Sequence, residues 1–209
     1  MISNNKKFIF VHAPKTGGSS IEKCLNKFLE EKIIIEGKNT KVRGKLTNPL
    51  ENSYNSLKHA TCTELIKQYG DRFDKFYKFS VIRNPWDRLL SLYYWSTHNK
   101  EYDKSLFIKK IFNKVSDVDE SKRRTIWTLN KYLCDEDDNL LVDRVMQFDD
   151  LDIEFKEIKT LLNISEDIKL PHINKSRKKP NKNILDNEVT EMIADLYTKE
   201  INKFWLNYK

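Results

Sequence analysis

Hydrophobic residues form two short runs, each of which leads through a turn into a segment with helical spacing. The first run covers residues 7–11, and residues 20–31 after the turn place apolar side chains three and four positions apart. The second run covers residues 76–82 and precedes an amphipathic segment at residues 85–97. Short apolar runs bounded by turn residues are typical of buried strands in a parallel sheet. The pattern therefore predicts two strand–turn–helix units of an α/β fold.

The rest of the pattern is predominantly helical. A short apolar segment at residues 33–35 precedes residues 37–56, which are polar without periodicity and predict a long loop of a kind that is often functional. A capping-box sequence, Thr61-x-x-Glu64, marks the start of a later helix. We predict one helix-rich α/β domain over residues 1–209. Its further helices are expected at residues 61–69, 104–114, 121–133, 151–163 and 187–206, with one more strand at residues 144–148.

The turn after the first strand has the composition of a phosphate-binding loop. Residues 14–20 read Pro-Lys-Thr-Gly-Gly-Ser-Ser. The two glycines let backbone N–H groups turn toward one anion, Lys15 adds a mobile positive charge, and Ser19 and Ser20 add hydroxyls at the positive end of the helix dipole. In the Walker pattern G-x-x-x-x-G-K-[ST] the lysine follows the glycines, whereas Lys15 precedes them. The loop predicts a nucleotide-like phosphoester ligand in a cradle that differs from the usual NTPase cradle.

A second anion site is predicted after the second strand. Arg83 leaves the strand end, Asn84 and Pro85 supply a helix cap and a first helical residue, and Ser91 lies two turns into the helix. The arginine fork can bind a phosphate through two parallel hydrogen bonds, and the Ser91 hydroxyl can join it. The local alternative is an ion pair between Arg83 and Asp87, with Ser91 as a small packing residue. Two anion sites predict a doubly phosphorylated nucleotide.

These motifs resemble those of the sulfotransferases that use 3′-phosphoadenosine 5′-phosphosulfate (PAPS), particularly the carbohydrate branch that includes the heparan sulfate 2-O-sulfotransferases. The segment PKTGGSS is similar to the loop that binds the 5′-phosphosulfate, and VIRNPWDRLLSLYY is similar to the element that binds the 3′-phosphate. The blocks LKHATCTEL, VMQFDDLDIEF and LPHINKSRKK agree in order and spacing. Gly18 stands where many relatives carry Ser or Thr. The resemblance covers most of the chain and implies a three-layer, P-loop-like fold with a central parallel sheet flanked by helices.

The resemblance also implies roles for individual residues. Lys15 would stabilise the leaving group of an in-line sulfuryl transfer, and His59 would be the general base, with His12 as the rival base. A basic loop near the C-terminus of related enzymes places Lys175 and Ser176 at the 3′-phosphate. No metal is expected. The implied donor-binding residues are Lys15, Thr16, Gly17, Gly18, Ser19, Ser20, Arg83, Ser91, Lys175 and Ser176.

The composition of the chain indicates its class of partner and its compartment, but it does not identify a reaction. The formal net charge of +7 favours anionic partners but does not separate a nucleotide from a polysaccharide or a nucleic acid. Three cysteines without C-x-x-C spacing argue against a disulfide framework or a zinc site and indicate a reducing compartment. No apolar run approaches the roughly 20 residues that span a bilayer, unlike in the anchored animal members of the family. We expect a prokaryotic, cytoplasmic enzyme that acts on a hydroxyl-bearing glycan or small sugar, without a nucleic-acid partner.

Two other functions are compatible with the sequence. A small-molecule kinase would share the α/β fold and the phosphate loop, but it requires a Walker-ordered lysine and an acidic metal ligand at a strand end, where this chain has Arg83. A basic nucleic-acid or polyanion binder would carry the loop without using it. That protein would bind RNA or DNA with a strong salt dependence and would have no affinity for nucleotides.

Overall fold

A four-stranded sheet runs through the interior of the protein. The computed structural model describes residues 1–28, 59–114, 124–165, 167–171 and 182–205. β1 is antiparallel to β2, whereas β2, β3 and β4 are parallel to one another. The carboxyl ends of the three parallel strands therefore meet at one end of the sheet, where ligands of such folds bind. In spatial order the strands are β1 (Ile2–Ser3), β2 (Phe8–Val11), β3 (Tyr77–Ile82) and β4 (Arg144–Gln147).

Helices connect the strands and pack on both faces of the sheet. Within the described ranges, none of them is long and apolar enough to cross a membrane. Short 3₁₀ turns occupy Asn26–Phe28, Phe112–Lys114, Arg124–Ile126 and Lys182–Ile184. The helices are α1 (Gly18–Leu25), α2 (Cys62–Tyr69), α3 (Asp71–Lys75), α4 (Pro85–Ser96), α5 (Lys104–Ile111), α6 (Leu129–Leu133), α7 (Leu151–Leu161), α8 (Asn187–Leu196) and α9 (Thr198–Phe204).

Apolar side chains cover the sheet from both sides, which explains why its strands read as continuous hydrophobic runs. Phe8 and Phe10 of β2 pack on one face together with residues of α1 and α7. Ile9 and Val11 of the same strand pack on the other face with residues of α2 and α6. A third cluster around Tyr93 joins α4, α5 and α8. The predicted α/β fold with a parallel sheet between helical layers is confirmed.

Most predicted elements are present with small shifts at their ends. The first parallel strand begins at Phe8 because Lys7 has a φ of 49°, which is incompatible with a strand. The capping box forms as predicted, since the Thr61 hydroxyl accepts from the Glu64 N–H and the Glu64 carboxylate accepts from the Thr61 N–H. The helix predicted at residues 20–31 begins two residues earlier, at Gly18. Residues 29–58, which include the predicted long loop, lie outside the described ranges.

Two predicted helices are wrong in their continuity. The segment predicted at residues 121–133 contains a 3₁₀ turn and then an extended Thr128, whose hydroxyl caps the separate helix α6. The segment predicted at residues 187–206 is interrupted at Tyr197, where α8 ends and α9 begins. The sequence pattern also missed β1 and α3, because elements of two and five residues are too short to show a period.

An entirely buried ion pair joins three helices on one side of the sheet. The Arg88 Nη2 atom of α4 lies 3.0 Å from a carboxylate oxygen of Glu200 in α9, and both side chains are fully buried. Glu200 also accepts a hydrogen bond of 2.5 Å from the backbone N–H of Leu129, the first residue of α6. Arg88 donates from Nη1 to the Trp127 carbonyl oxygen. The pair therefore fixes α4, which carries Ser91, against the C-terminal helices.

Candidate active site

The loop between β2 and α1 has the backbone geometry that an anion cradle requires. Lys15 and Gly17 both have positive φ values, of 65° and 88°. Gly17 is the N-cap of α1 and supplies no side-chain hydrogen bond, so the first-turn N–H groups of this helix are not capped by a side chain. Thr16 is fully buried, and its hydroxyl donates to the Ala13 carbonyl oxygen at 2.9 Å. Its hydroxyl thus fastens the turn, and its backbone N–H is the group that remains for a ligand.

Neither glycine of the loop can carry a side chain without displacing an aromatic ring. A Cβ on Gly17 would lie 2.8 Å from the ring of Phe148, which follows β4, and its φ of 88° also disfavours an L-residue. A Cβ on Gly18 would lie 2.3 Å from Cδ2 of His12. This close approach explains why the chain has glycine at position 18. The His12 ring occupies the volume that a side chain would take.

A double-mutant cycle tests this steric coupling. We expect Gly18→Ala to lower the free energy of unfolding by about 1–3 kcal/mol, the typical cost of overpacking. The same substitution in a His12→Ala background should cost less, because the ring that it collides with has been removed. Urea denaturation of the four proteins measures both costs. Equal costs in the two backgrounds would show that His12 does not fill this space.

Lys15 brings a partly buried positive charge to the mouth of the loop. Its Nζ lies 5.5 Å from the ring centroid of Trp95, near the end of α4. No described residue offers the ammonium a hydrogen bond or an ion pair. Burial, and secondarily the charge of Arg83, lower the pKa of Lys15 to about 8. The charge of the ammonium is therefore only partly compensated by the protein, and a bound anion would stabilise it.

Arg83 presents a second under-compensated charge at the end of β3. Its guanidinium carbon lies 4.2 Å from the ring centroid of Phe148, and its buried Nε has no hydrogen-bond partner among the described residues. Burial lowers the pKa of this guanidinium, an effect that the carboxylates of Asp87 and Asp149 only partly offset. The pairing of Arg83 with Asp87 that the sequence left open is not formed, because Asp87 instead exchanges hydrogen bonds with Asn84.

Phe148 links the loop to Arg83. Its ring occupies the space that a side chain on Gly17 would take, and the guanidinium of Arg83 lies over the same ring. Lys15 and Arg83 are close enough for the charge of one to lower the pKa of the other. Ser91 lies on α4, two turns beyond Arg83, with 8% of its surface exposed. Two neighbouring positive charges that repel each other form a site for an anion.

His59 is held beside this site by contacts to its ring and to its backbone. Its Nδ1 lies 2.8 Å from the His12 carbonyl oxygen. A carbonyl oxygen can only accept a hydrogen bond, so Nδ1 carries the proton, and in the neutral ring Nε2 holds the lone pair. Arg124 donates to the His59 carbonyl oxygen and pairs with the Glu64 carboxylate. The imidazole is therefore oriented with Nε2 as its basic atom.

The comparison with known families agrees with this geometry. A family model described as "Sulfotransferase family" matches residues 1–208. The chain belongs to the sulfotransferase family. Searches of curated proteins and of solved structures give no significant match. Because sulfotransferases transfer a sulfuryl group from PAPS, the family match favours this reaction over the kinase and polyanion-binding alternatives.

The residues of this sulfotransferase fit the donor that its family uses. PAPS carries a phosphosulfate at one end and a separate phosphate at the other, and the site has two positive charges and an uncapped helix start. Lys175 and Ser176 lie outside the described ranges and stay predictions. Within those ranges no cluster of His, Cys, Asp or Glu could hold a metal, and the expected metal independence also stays a prediction.

Three contributors to the site carry no recognisable sequence signal. Phe148 lies in the block VMQFDDL, where the polar residues on either side of it are the more obvious candidates for a functional role. Trp95 reads as one more apolar residue of an amphipathic helix, although 63% of its surface is exposed. Glu22 lies 2.9 Å from Nδ1 of His12, a contact between residues ten positions apart that no helical spacing indicates. Their roles follow from the tertiary structure alone.

Proposed function

We propose that this sulfotransferase moves the sulfuryl group of PAPS to a carbohydrate hydroxyl by in-line transfer. The observation that carries the proposal is the proximity of Lys15 and Arg83, which follow the ends of β2 and β3 and are 68 positions apart in numbering. The loop with Thr16, Gly17, Gly18, Ser19 and Ser20 would hold the 5′-phosphosulfate through backbone N–H groups and hydroxyls. Arg83 and Ser91 would hold the 3′-phosphate, joined by Lys175 and Ser176.

The chain supplies a positive charge for the leaving group and a base for the acceptor hydroxyl. PAPS supplies the activated sulfuryl group. As the bond from sulfur to the bridging oxygen breaks, negative charge grows on that oxygen, and the Lys15 ammonium and first-turn N–H groups of α1 stabilise it. As the acceptor oxygen bonds to sulfur, its proton passes to Nε2 of His59. A positioned base of this kind typically contributes about 10²–10⁴-fold.

His59 suits the role of base better than its rival His12. Only 4% of the His12 surface is exposed, and its ring is enclosed by Gly18, Glu22 and His59. His59 is only partly buried, and its hydrogen bond to the His12 carbonyl leaves Nε2 as the acceptor of a proton. We therefore assign proton transfer to His59.

Trp95 supports a carbohydrate as the acceptor. Its exposed indole stands beside Lys15, one helical turn beyond Ser91, and so lies at the phosphosulfate end of the proposed donor site. An exposed aromatic ring can stack on the apolar face of a pyranose. A carbohydrate hydroxyl also needs the base that His59 provides. The resemblance to the heparan sulfate 2-O-sulfotransferases points to the same acceptor class. The single domain over residues 1–209, the prokaryotic source and the cytoplasmic location stay predictions.

Replacing Trp95 tests the acceptor side of this proposal. We expect Trp95→Ala to raise the KM for an oligosaccharide acceptor about 3–10-fold, the value of a lost stacking contact, while the affinity for adenosine 3′,5′-bisphosphate stays unchanged. Trp95→Phe should raise the acceptor KM less, because a phenyl ring can still stack on the sugar. Ile153→Ala, which removes an equally exposed apolar side chain from α7, is the control. An unchanged acceptor KM in Trp95→Ala would remove the support that Trp95 gives to a carbohydrate acceptor.

Calorimetry with adenosine 3′,5′-bisphosphate tests the donor site without an acceptor. We expect adenosine 3′,5′-bisphosphate to bind more tightly than adenosine 5′-phosphate. The monophosphate lacks the 3′-phosphate, which is the group that Arg83 would contact. Arg83→Ala should weaken binding of the bisphosphate about 10–100-fold, the value of a charge-assisted bidentate contact, and should leave the affinity for adenosine 5′-phosphate nearly unchanged. Equal losses for both nucleotides would contradict the assignment of Arg83 to the 3′-phosphate.

A further inference from the structure

The His12 side chain is fixed on several sides although the proposed chemistry does not use it. Its Nδ1 lies 2.9 Å from a carboxylate oxygen of Glu22, on α1. Its ring stacks on Phe10 with a centroid distance of 5.7 Å and occupies the space that a side chain on Gly18 would take. Only 4% of the residue is exposed. Phe10, Gly18 and Glu22 therefore hold this ring in one place.

The His12 residue makes two contacts with His59. The rings of His12 and His59 meet edge to face with their centroids 4.5 Å apart. The backbone of His12 accepts the Nδ1 proton of His59 at 2.8 Å. His12 therefore touches His59 through both its ring and its carbonyl group, while the ring also contacts the carboxylate of Glu22.

We propose that His12 and Glu22 are positioning residues that hold the His59 imidazole with its proton on Nδ1 and its lone pair on Nε2. This inference rests on the proposed function. Glu22 fixes the His12 ring, and that ring fixes the plane of His59. Only in this plane does Nδ1 of His59 face the His12 carbonyl oxygen, so loss of Glu22 also weakens the hydrogen bond that sets the tautomer. When the acceptor proton reaches Nε2, the His59 ring becomes positive, and the carboxylate of Glu22 beside His12 offsets part of that charge. Neither positioning residue exchanges a proton with the acceptor.

The arrangement also accounts for Gly18 in catalytic terms. The His12 ring can lie between Glu22 and His59 only because position 18 lacks a side chain. A serine at that position would give the loop one more hydroxyl for the phosphosulfate but would expel the ring. Compared with a serine at this position, Gly18 makes one hydrogen bond fewer to the donor but leaves room for the His12 ring beside His59.

The test uses the intact protein and reads His59 directly. The variants are Glu22→Ala, Glu22→Gln, whose amide oxygen can still face Nδ1 of His12, and the control Lys23→Ala, which removes an exposed charge from the neighbouring position of α1. Long-range ¹⁵N NMR of the histidine rings gives the fraction of neutral His59 that is protonated on Nδ1. Release of adenosine 3′,5′-bisphosphate from PAPS, with water as the acceptor, gives turnover, and calorimetry gives nucleotide affinity.

We expect Glu22→Ala to lower the Nδ1-protonated fraction and to reduce turnover about 10-fold, the usual size of an effect from a residue that orients a reacting group. Nucleotide affinity should stay within about twofold of wild type, since Glu22 does not touch the proposed donor site. Glu22→Gln should restore the tautomer, and Lys23→Ala should change nothing. The inference is overturned if Glu22→Ala leaves the tautomer unchanged, or if turnover and nucleotide affinity fall together. Absent nucleotide binding by wild type would instead reject the proposed function.

Discussion

Lys15→Ala should reduce sulfuryl transfer at least about 10²–10³-fold, the cost of removing a positioned charge from a developing oxyanion. The reason is that Lys15 is the mobile cation of the loop and has no hydrogen-bond or ion-pair partner among the described residues. Most of the loss should fall on kcat, because negative charge on the bridging oxygen grows only as the bond to sulfur breaks. Radiolabelled PAPS with an oligosaccharide acceptor measures the rate, and Lys67→Ala, on the exposed side of α2, is the control.

The pKa of Lys15 gives this prediction an independent check. With a pKa lowered to about 8, the free protein begins to lose the Lys15 proton as the pH rises through 8. A bound anion favours the ammonium, so binding of adenosine 3′,5′-bisphosphate above pH 8 should take up a proton and should weaken as the pH rises. Calorimetry in buffers with different ionisation enthalpies measures the uptake, which should vanish in Lys15→Ala. Turnover near wild type in that variant would refute the role assigned to Lys15.

Glu200→Ala should have the largest effect on stability. Removal of Glu200 leaves the fully buried guanidinium of Arg88 without its counter-charge. It also removes the acceptor of the Leu129 N–H at the start of α6. Breaking a buried ion pair from one side typically costs about 3–5 kcal/mol. Urea denaturation, followed by circular dichroism, measures this change in the free energy of unfolding.

Two matched variants show whether the cost arises from the unpaired charge. Glu188→Ala breaks the exposed pair with Lys104 and should leave stability nearly unchanged. The double variant Arg88→Met/Glu200→Leu removes both buried charges and should recover a large part of the lost stability, because no charge is left without a partner. If Glu200→Ala and Glu188→Ala unfold at the same urea concentration, the buried pair does not contribute as we describe.

The sequence predicts the parts of the site that depend on neighbouring residues. The loop at residues 14–20, the Asn84-Pro85 helix start and the Thr61–Glu64 capping box are local patterns, and each is in place in the structure. These features could be read because their interactions span only a few positions.

The remaining features depend on contacts between distant segments. Phe148 touches Gly17 across 131 positions of numbering, and no periodicity links them. The contact of Glu22 with His12 depends on the angle at which α1 leaves the sheet. The continuous helix predicted at residues 187–206 is interrupted because the hydroxyl of Tyr197 reaches the Ile126 carbonyl oxygen, a demand of packing that overrides helix propensity.

The span of the buried ion pair also constrains how the protein is made. Arg88 and Glu200 are 112 positions apart, so a ribosome that has released α4 must still synthesise more than a hundred residues before the partner emerges. Until then the arginine cannot be buried at low cost, and the helix that carries Ser91 cannot settle against its final neighbours. We therefore expect the helix that carries Ser91 to reach its final position only after Glu200 has left the ribosome.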